Sequence, residues 1–96
     1  MSDAFQFEWD EAKRRVNIDK HAVDFWDAIA IFDGYRATWR SDRNGESRLC
    51  TVGLLRRFEV TVIYTMRDET IRIISARRAS FDERTRYYTY LSERGA

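Results

Sequence analysis

Arginine is the residue from which chemistry can be argued in this chain. From position 72 it reads RIISARRASFDERTR: Arg72 opens an apolar run, Arg77 and Arg78 close it, and Arg84 and Arg86 follow. A guanidinium is a planar fork of donors that matches phosphate oxygens and keeps its charge at any working pH. Arginines at neighbouring strand ends can hold a phosphodiester and offset the extra charge of its pentavalent transition state. With RNA the substrate carries its own nucleophile, the 2′-hydroxyl. The protein then supplies only a base, an acid and anion stabilisation, with no metal and no cofactor.

Other chemistries find little support. His21 and Cys50 are the chain's one histidine and one cysteine, and they lie far apart in sequence, a poor basis for zinc. The four glycines are scattered, so no phosphate-cradling loop forms. No nucleophile turn marks a serine triad, and nothing resembles a dinucleotide site. Each arginine also has a plainer reading as a strand-end or helix-surface charge. The residues by themselves therefore support a basic face, and RNA cleavage only as a suggestion. A non-catalytic nucleic-acid-binding module or a protein-interaction domain stays open.

The charge distribution agrees with a basic face. Net charge is +1, but residues 1–33 hold four basic and eight acidic side chains while the remainder holds thirteen and eight. Such a split suits a polyanion on one side of the fold. With 96 residues and 44% apolar side chains, a single domain over 1–96 with one core is expected. A lone cysteine excludes an internal disulfide and points to the cytoplasm. The N-terminal MSDAFQFEWD lacks the pattern of a signal peptide, and no apolar stretch is long enough for a membrane span.

Eight elements would position these residues. FQFEW reads as a short strand with Phe5 and Phe7 on one face. Asp10 caps a helix running to about His21, with a thin apolar stripe of Trp9, Ala12 and Val16. Asp24 caps a second helix whose Phe25, Ala28, Ile29 and Phe32 form one buried face, with Val23 and Ala28 as a hydrophobic staple. From Tyr35 the period becomes two. Asn44-Gly45 marks a hairpin, and turns at Arg56-Arg57 and around Arg67-Asp68-Glu69 complete four antiparallel strands. Ser80 and Glu83 make a capping box for a last helix. Its Phe81, Thr85, Tyr88 and Leu91 are predicted to dock on the sheet. The layout is α+β: strand, two helices, a four-stranded antiparallel sheet and a C-terminal helix.

Three stretches, FEWDEAKRRVNIDKHAVDFWDAIAIFDG, GESRL and VIYTMRDETIRIISARRASFDERTRYY, resemble the BrnT family, the toxin halves of type II toxin–antitoxin pairs. The resemblance runs from Phe7 to about Tyr88. It implies a RelE-like fold and metal-independent endoribonuclease activity that inhibits translation. It also implies a BrnA-like ribbon-helix-helix antitoxin, with operator DNA bound only through the complex. The family pattern singles out Lys20, His21, Glu46, Arg48, Arg67, Arg72 and Arg77. Of these, Arg48, Arg67 and Arg77 are expected to grip the scissile phosphate, His21 or Glu46 to act as base and Lys20 to lend electrostatic support. Arg72, Arg78 and Tyr88 are expected to bind RNA. Ala22 stands where the family commonly has glycine, which would alter how the two helices join.

Overall fold

The structure is a computed structural model that describes residues 5–95. Strand β1 (Gln6–Glu8) leads into helix α1 (Glu11–His21), then the short helix α2 (Phe25–Ala28), which tightens into a 3-10 segment over Ile29–Asp33. Strands β2 (Arg36–Arg40), β3 (Leu49–Leu55), β4 (Phe58–Arg67) and β5 (Thr70–Arg78) follow, and helix α3 (Phe81–Gly95) ends the chain. The four consecutive strands pair as antiparallel neighbours, as their short turns require. Asn44 and Gly45 both take positive φ, +53° and +77°, the backbone that a two-residue type I′ hairpin turn demands.

The sheet has five strands, in the order β1-β5-β4-β3-β2, because β1 adds in parallel to β5. Phe7 pairs with Ile71 and Glu8 with Arg72. This enlarges the expected four-stranded antiparallel sheet into a mixed one. A three-residue strand names no partner by its own pattern, and its partner lies more than sixty residues along the chain.

Two apolar clusters sit on opposite faces of the sheet. On one, Phe25, Ala28, Ile31 and Phe32 pack against Val60, Val62, Tyr64, Ile71, Ile73 and Ala76. Gly53 lets the 3-10 segment come close, since a Cβ there would lie 2.9 Å from the Ile31 Cβ. On the other face, Tyr87 of α3 packs on Ala37, Cys50, Val52 and Ala79.

Both long helices are turned differently from their apolar pattern. Val16 is 54% exposed, and the buried residue of α1 is Asn17. Beyond β1, the outer edge of β5 would be left unpaired. Asn17 takes the place of a strand there: its Nδ2 donates to the Ala76 carbonyl (2.7 Å) and to Val23 O (2.9 Å), and its Oδ1 accepts from Ala76 N (3.1 Å). A buried strand edge needs hydrogen bonds more than it needs apolar cover. In α3 the docking face is Glu83, Tyr87 and Leu91: Leu91 docks as expected, whereas Phe81, Thr85 and Tyr88 do not; Phe81 is 72% exposed and Tyr87 1%. Glu83 is tied to the sheet through Thr61 and Arg77, and this polar anchor sets the rotation of the helix.

Candidate functional site

Strand β5 carries the decisive irregularity. Ile63 of β4 pairs with Ser75, but the next residue, Tyr64, pairs with Ile73, so Ile74 is an extra residue in β5. Side chains alternate along a regular strand, which would send Arg72 and Arg77, five positions apart, to opposite faces. The bulge cancels that inversion. Arg72 lies opposite Thr65 and Arg77 opposite Thr61, two β4 residues of the same parity, so both arginines project from the face that carries α3. Ser75 stands between them on that face.

The neighbouring rungs extend the same surface. Glu8, Arg72 and Thr65 lie side by side across β1, β5 and β4. Arg48 precedes the Leu49–Tyr64 pair, so the next position along the β3–β4 register sets it beside Thr65. Arg67 pairs with Thr70 one turn of the pleat further out. The next rung reads Trp39, Cys50, Ile63 and Ser75. The Arg86 guanidinium stacks over the Trp39 ring at 4.0 Å. The Cys50 thiol lies buried in that rung. Burial dominates at that thiol and pushes its pKa up to about 12.

Carboxylates hold the arginines in place. Arg77 donates through both terminal nitrogens to the two Glu83 oxygens, each at 2.8 Å. Glu83 Oε1 also accepts from Thr61 Oγ1 (2.8 Å) and from Ser80 N (2.9 Å), while Glu83 N donates to Ser80 Oγ (3.2 Å) and completes the expected capping box. The Arg77 hydrogen bonds are the chief reason that the Glu83 carboxyl is held down to about 2. Arg72 lies 3.3 Å from Glu8 Oε2 and Arg67 3.9 Å from the same oxygen, so two cations share one anion. Glu46 Oε1 accepts from Arg48 at 2.7 and 2.8 Å. The surface therefore keeps a positive excess with its forks pre-oriented, which suits an anionic diester.

Residues 9–83 match the family model described as ribonuclease toxin, BrnT, of type II toxin–antitoxin system. The chain belongs to the BrnT family. The crystal structure of the Brucella abortus ribonuclease toxin BrnT is similar to it, with 30% identity, a TM-score of 0.66, and coverage of 79% of this chain and 97% of that one. No curated protein matches closely enough to add to the assignment. A BrnT-family chain is a ribonuclease toxin, and the type II organisation gives it RNA as substrate and an antitoxin as partner. The expected α+β fold is the one the family relative shares.

Within this BrnT chain the structure distributes the sequence-derived residues unevenly. Arg67, Arg72 and Arg77 project from one sheet face, Arg67 and Arg72 sharing Glu8 and Arg77 lying further along β5, with Arg48 and its partner Glu46 at the adjoining rim. Lys20 and His21 line a separate groove of about 260 Å³ between α1 and Ile74, with Ala12, Lys13, Val16 and Asn17. None of those arginines lines that groove. Arg78 pairs with Val60 on the opposite face, its guanidinium 3.9 Å from the Phe58 ring centre. Tyr88 donates to Glu59 Oε2 at 2.6 Å. Ala22 adopts the left-handed conformation, φ 58° and ψ 29°, so the α1–α2 joint keeps the geometry a glycine would favour.

Sequence reasoning missed Glu83 as the partner of Arg77, Glu8 as the shared anion, and Ser75, Trp39 and Arg86 as parts of the same surface. A signal existed for Glu83, since a capping-box glutamate six residues after an arginine at a strand end lies close to it. No signal existed for the others, because their adjacency depends on the β5 bulge and on the pairing of distant strands.

Proposed function

We propose that this chain is a metal-independent endoribonuclease that cuts RNA on the α3-side face of the sheet. The 2′-hydroxyl attacks the adjacent phosphorus, the bond to the 5′-oxygen breaks, and the products are a 2′,3′-cyclic phosphate and a 5′-hydroxyl. The single observation that carries the reading is the β5 bulge, which sets Arg72 and Arg77 on one face with Ser75 between them. The Arg77 fork held by Glu83 and the Arg72 guanidinium beside Glu8 can offset the charge that builds up in the transition state of a strand lying along this face. Arg48 and Arg67 widen the cationic surface along the strand. Of the two candidate bases, Glu46 is favoured over His21, because its partner Arg48 adjoins Thr65 and Arg72, whereas His21 lies in the α1 groove. Lys20 supports RNA electrostatically from that groove.

The antitoxin is of the BrnA ribbon-helix-helix type, and the toxin meets operator DNA only through it. Cytoplasmic RNA is the target, and its cleavage stops translation. The test is incubation of the purified chain with a single-stranded RNA in EDTA, followed by analysis of the new ends. Parent protein should cut and leave cyclic phosphate. Arg72→Ala should slow cleavage by on the order of a hundredfold while leaving the melting temperature within a few degrees, since the Arg72–Glu8 pair is partly exposed. RNA that is bound yet intact would replace this reading with simple binding. Cleavage abolished by EDTA would remove metal independence.

A further inference from the structure

The surface continues past the arginines to an aromatic shelf. Trp39 lies on the same rung of the sheet as Cys50, Ile63 and Ser75, and so on the same face as Arg72 and Arg77. Three strand spacings separate it from Ser75, about 14 Å. Like Ile63 and Leu91, its indole packs on the buried Ala37, Cys50, Val52, Ala79 and Tyr87 cluster and stays partly exposed. The Arg86 guanidinium covers one face of the ring at 4.0 Å, the geometry of a close cation–π pair.

Arg86 differs from the other arginines of this face. Arg48, Arg67, Arg72 and Arg77 each have a carboxylate within 4 Å, whereas among the described residues none pairs with Arg86. Arg86 is also exposed, on the flank of α3. The indole lies against one side of its plane, and the other side is free of an anionic partner among the described residues. A flat, cationic, solvent-facing plane is what an unpaired nucleobase stacks on, and such stacking accepts every base because every base has a π-face.

We propose that the Arg86–Trp39 stack is a base-binding platform for a nucleotide flanking the one whose phosphate is cut. The inference rests on the reading of the arginine face as the RNA site and deepens it: the substrate is single-stranded, and one flanking base is held by stacking without readout of its edges. A duplex keeps its bases stacked on one another and cannot offer that face.

The experiment measures binding of a fluorescent 2′-O-methyl oligoribonucleotide, whose blocked nucleophile prevents cleavage during titration. Parent, Arg86→Ala and Arg86→Lys are compared, with circular dichroism confirming the fold of each. Arg86→Lys keeps the charge and loses the plane. Both variants should weaken binding by roughly five- to hundredfold, the worth of one base–aromatic stack. An oligonucleotide series with one abasic position at a time should reveal a position whose base matters to the parent and no longer matters to Arg86→Lys. Arg86→Lys binding like the parent, or an abasic series without a sensitive position, would overturn the platform while leaving the arginine face intact. A parent protein that does not bind the oligonucleotide would overturn the RNA site and the platform together.

Discussion

Glu83 ties the arginine-bearing face to the fold, and its removal should be felt most above the acid range. Its carboxylate accepts from Arg77 twice, from Thr61 and from Ser80 N, and the folded-state pKa is held down to about 2. The unfolded chain titrates near the ordinary glutamate value of 4.5. The folded pKa is depressed, so the stabilisation is complete above the unfolded value and is lost as pH falls through about 2. At about 1.4 kcal/mol per unit the depression is worth about 3 kcal/mol, and screening at the part-exposed pair reduces this to about 2 kcal/mol. Glu83→Gln should therefore lose about 2 kcal/mol at pH 7, lowering the melting temperature by roughly 10 °C. At pH 3 most of the unfolded-state carboxylate is already protonated, and the gap between parent and variant should shrink to less than half. Urea denaturation at both pH values reads this directly. An equal gap at pH 7 and pH 3 would show that Glu83 acts through packing or capping alone and that the Arg77 pair contributes nothing.

Other outcomes follow from the same contacts. Asn17→Ala leaves the Ala76 amide and carbonyl without partners at a buried strand edge, and urea melts should report a loss of about 3 kcal/mol. A loss under 1 kcal/mol would mean the β5 edge is covered in another way. Ala22→Gly relieves a left-handed alanine at φ 58° and should raise stability by about 1 kcal/mol; a decrease would contradict that backbone. Cys50 is 2% exposed with its pKa pushed up to about 12, so a thiol reagent at pH 8 should label it only after denaturant is added.

Much of the architecture was legible along the chain because local rules agree with the global fold. The period-two runs and the Asn44-Gly45 turn specify the hairpins, and Asp10, Asp24 and Ser80 occupy the helix starts. Rules fail where a helix answers to a distant partner. The apolar stripe of α1 is misleading because Asn17 serves the edge of β5, fifty-nine residues away. The rotation of α3 is misleading because the Glu83 contacts with Thr61 and Arg77 outweigh the claim of Phe81 and Tyr88 to a buried position. Both are polar anchors, and hydrophobic periodicity is blind to them.

The sequence by itself determined that this chain is α+β, rich in guanidinium near the end of its apolar strand, and similar to the BrnT toxins. Which guanidiniums share a face was decided only in three dimensions. Side-chain direction in a strand reverses with every residue, so one extra residue at Ile74 brings Arg72 and Arg77 to the same face and leaves Arg78 on the other. Composition and spacing carry no record of that insertion, because a bulge exists only relative to the strand it is paired with.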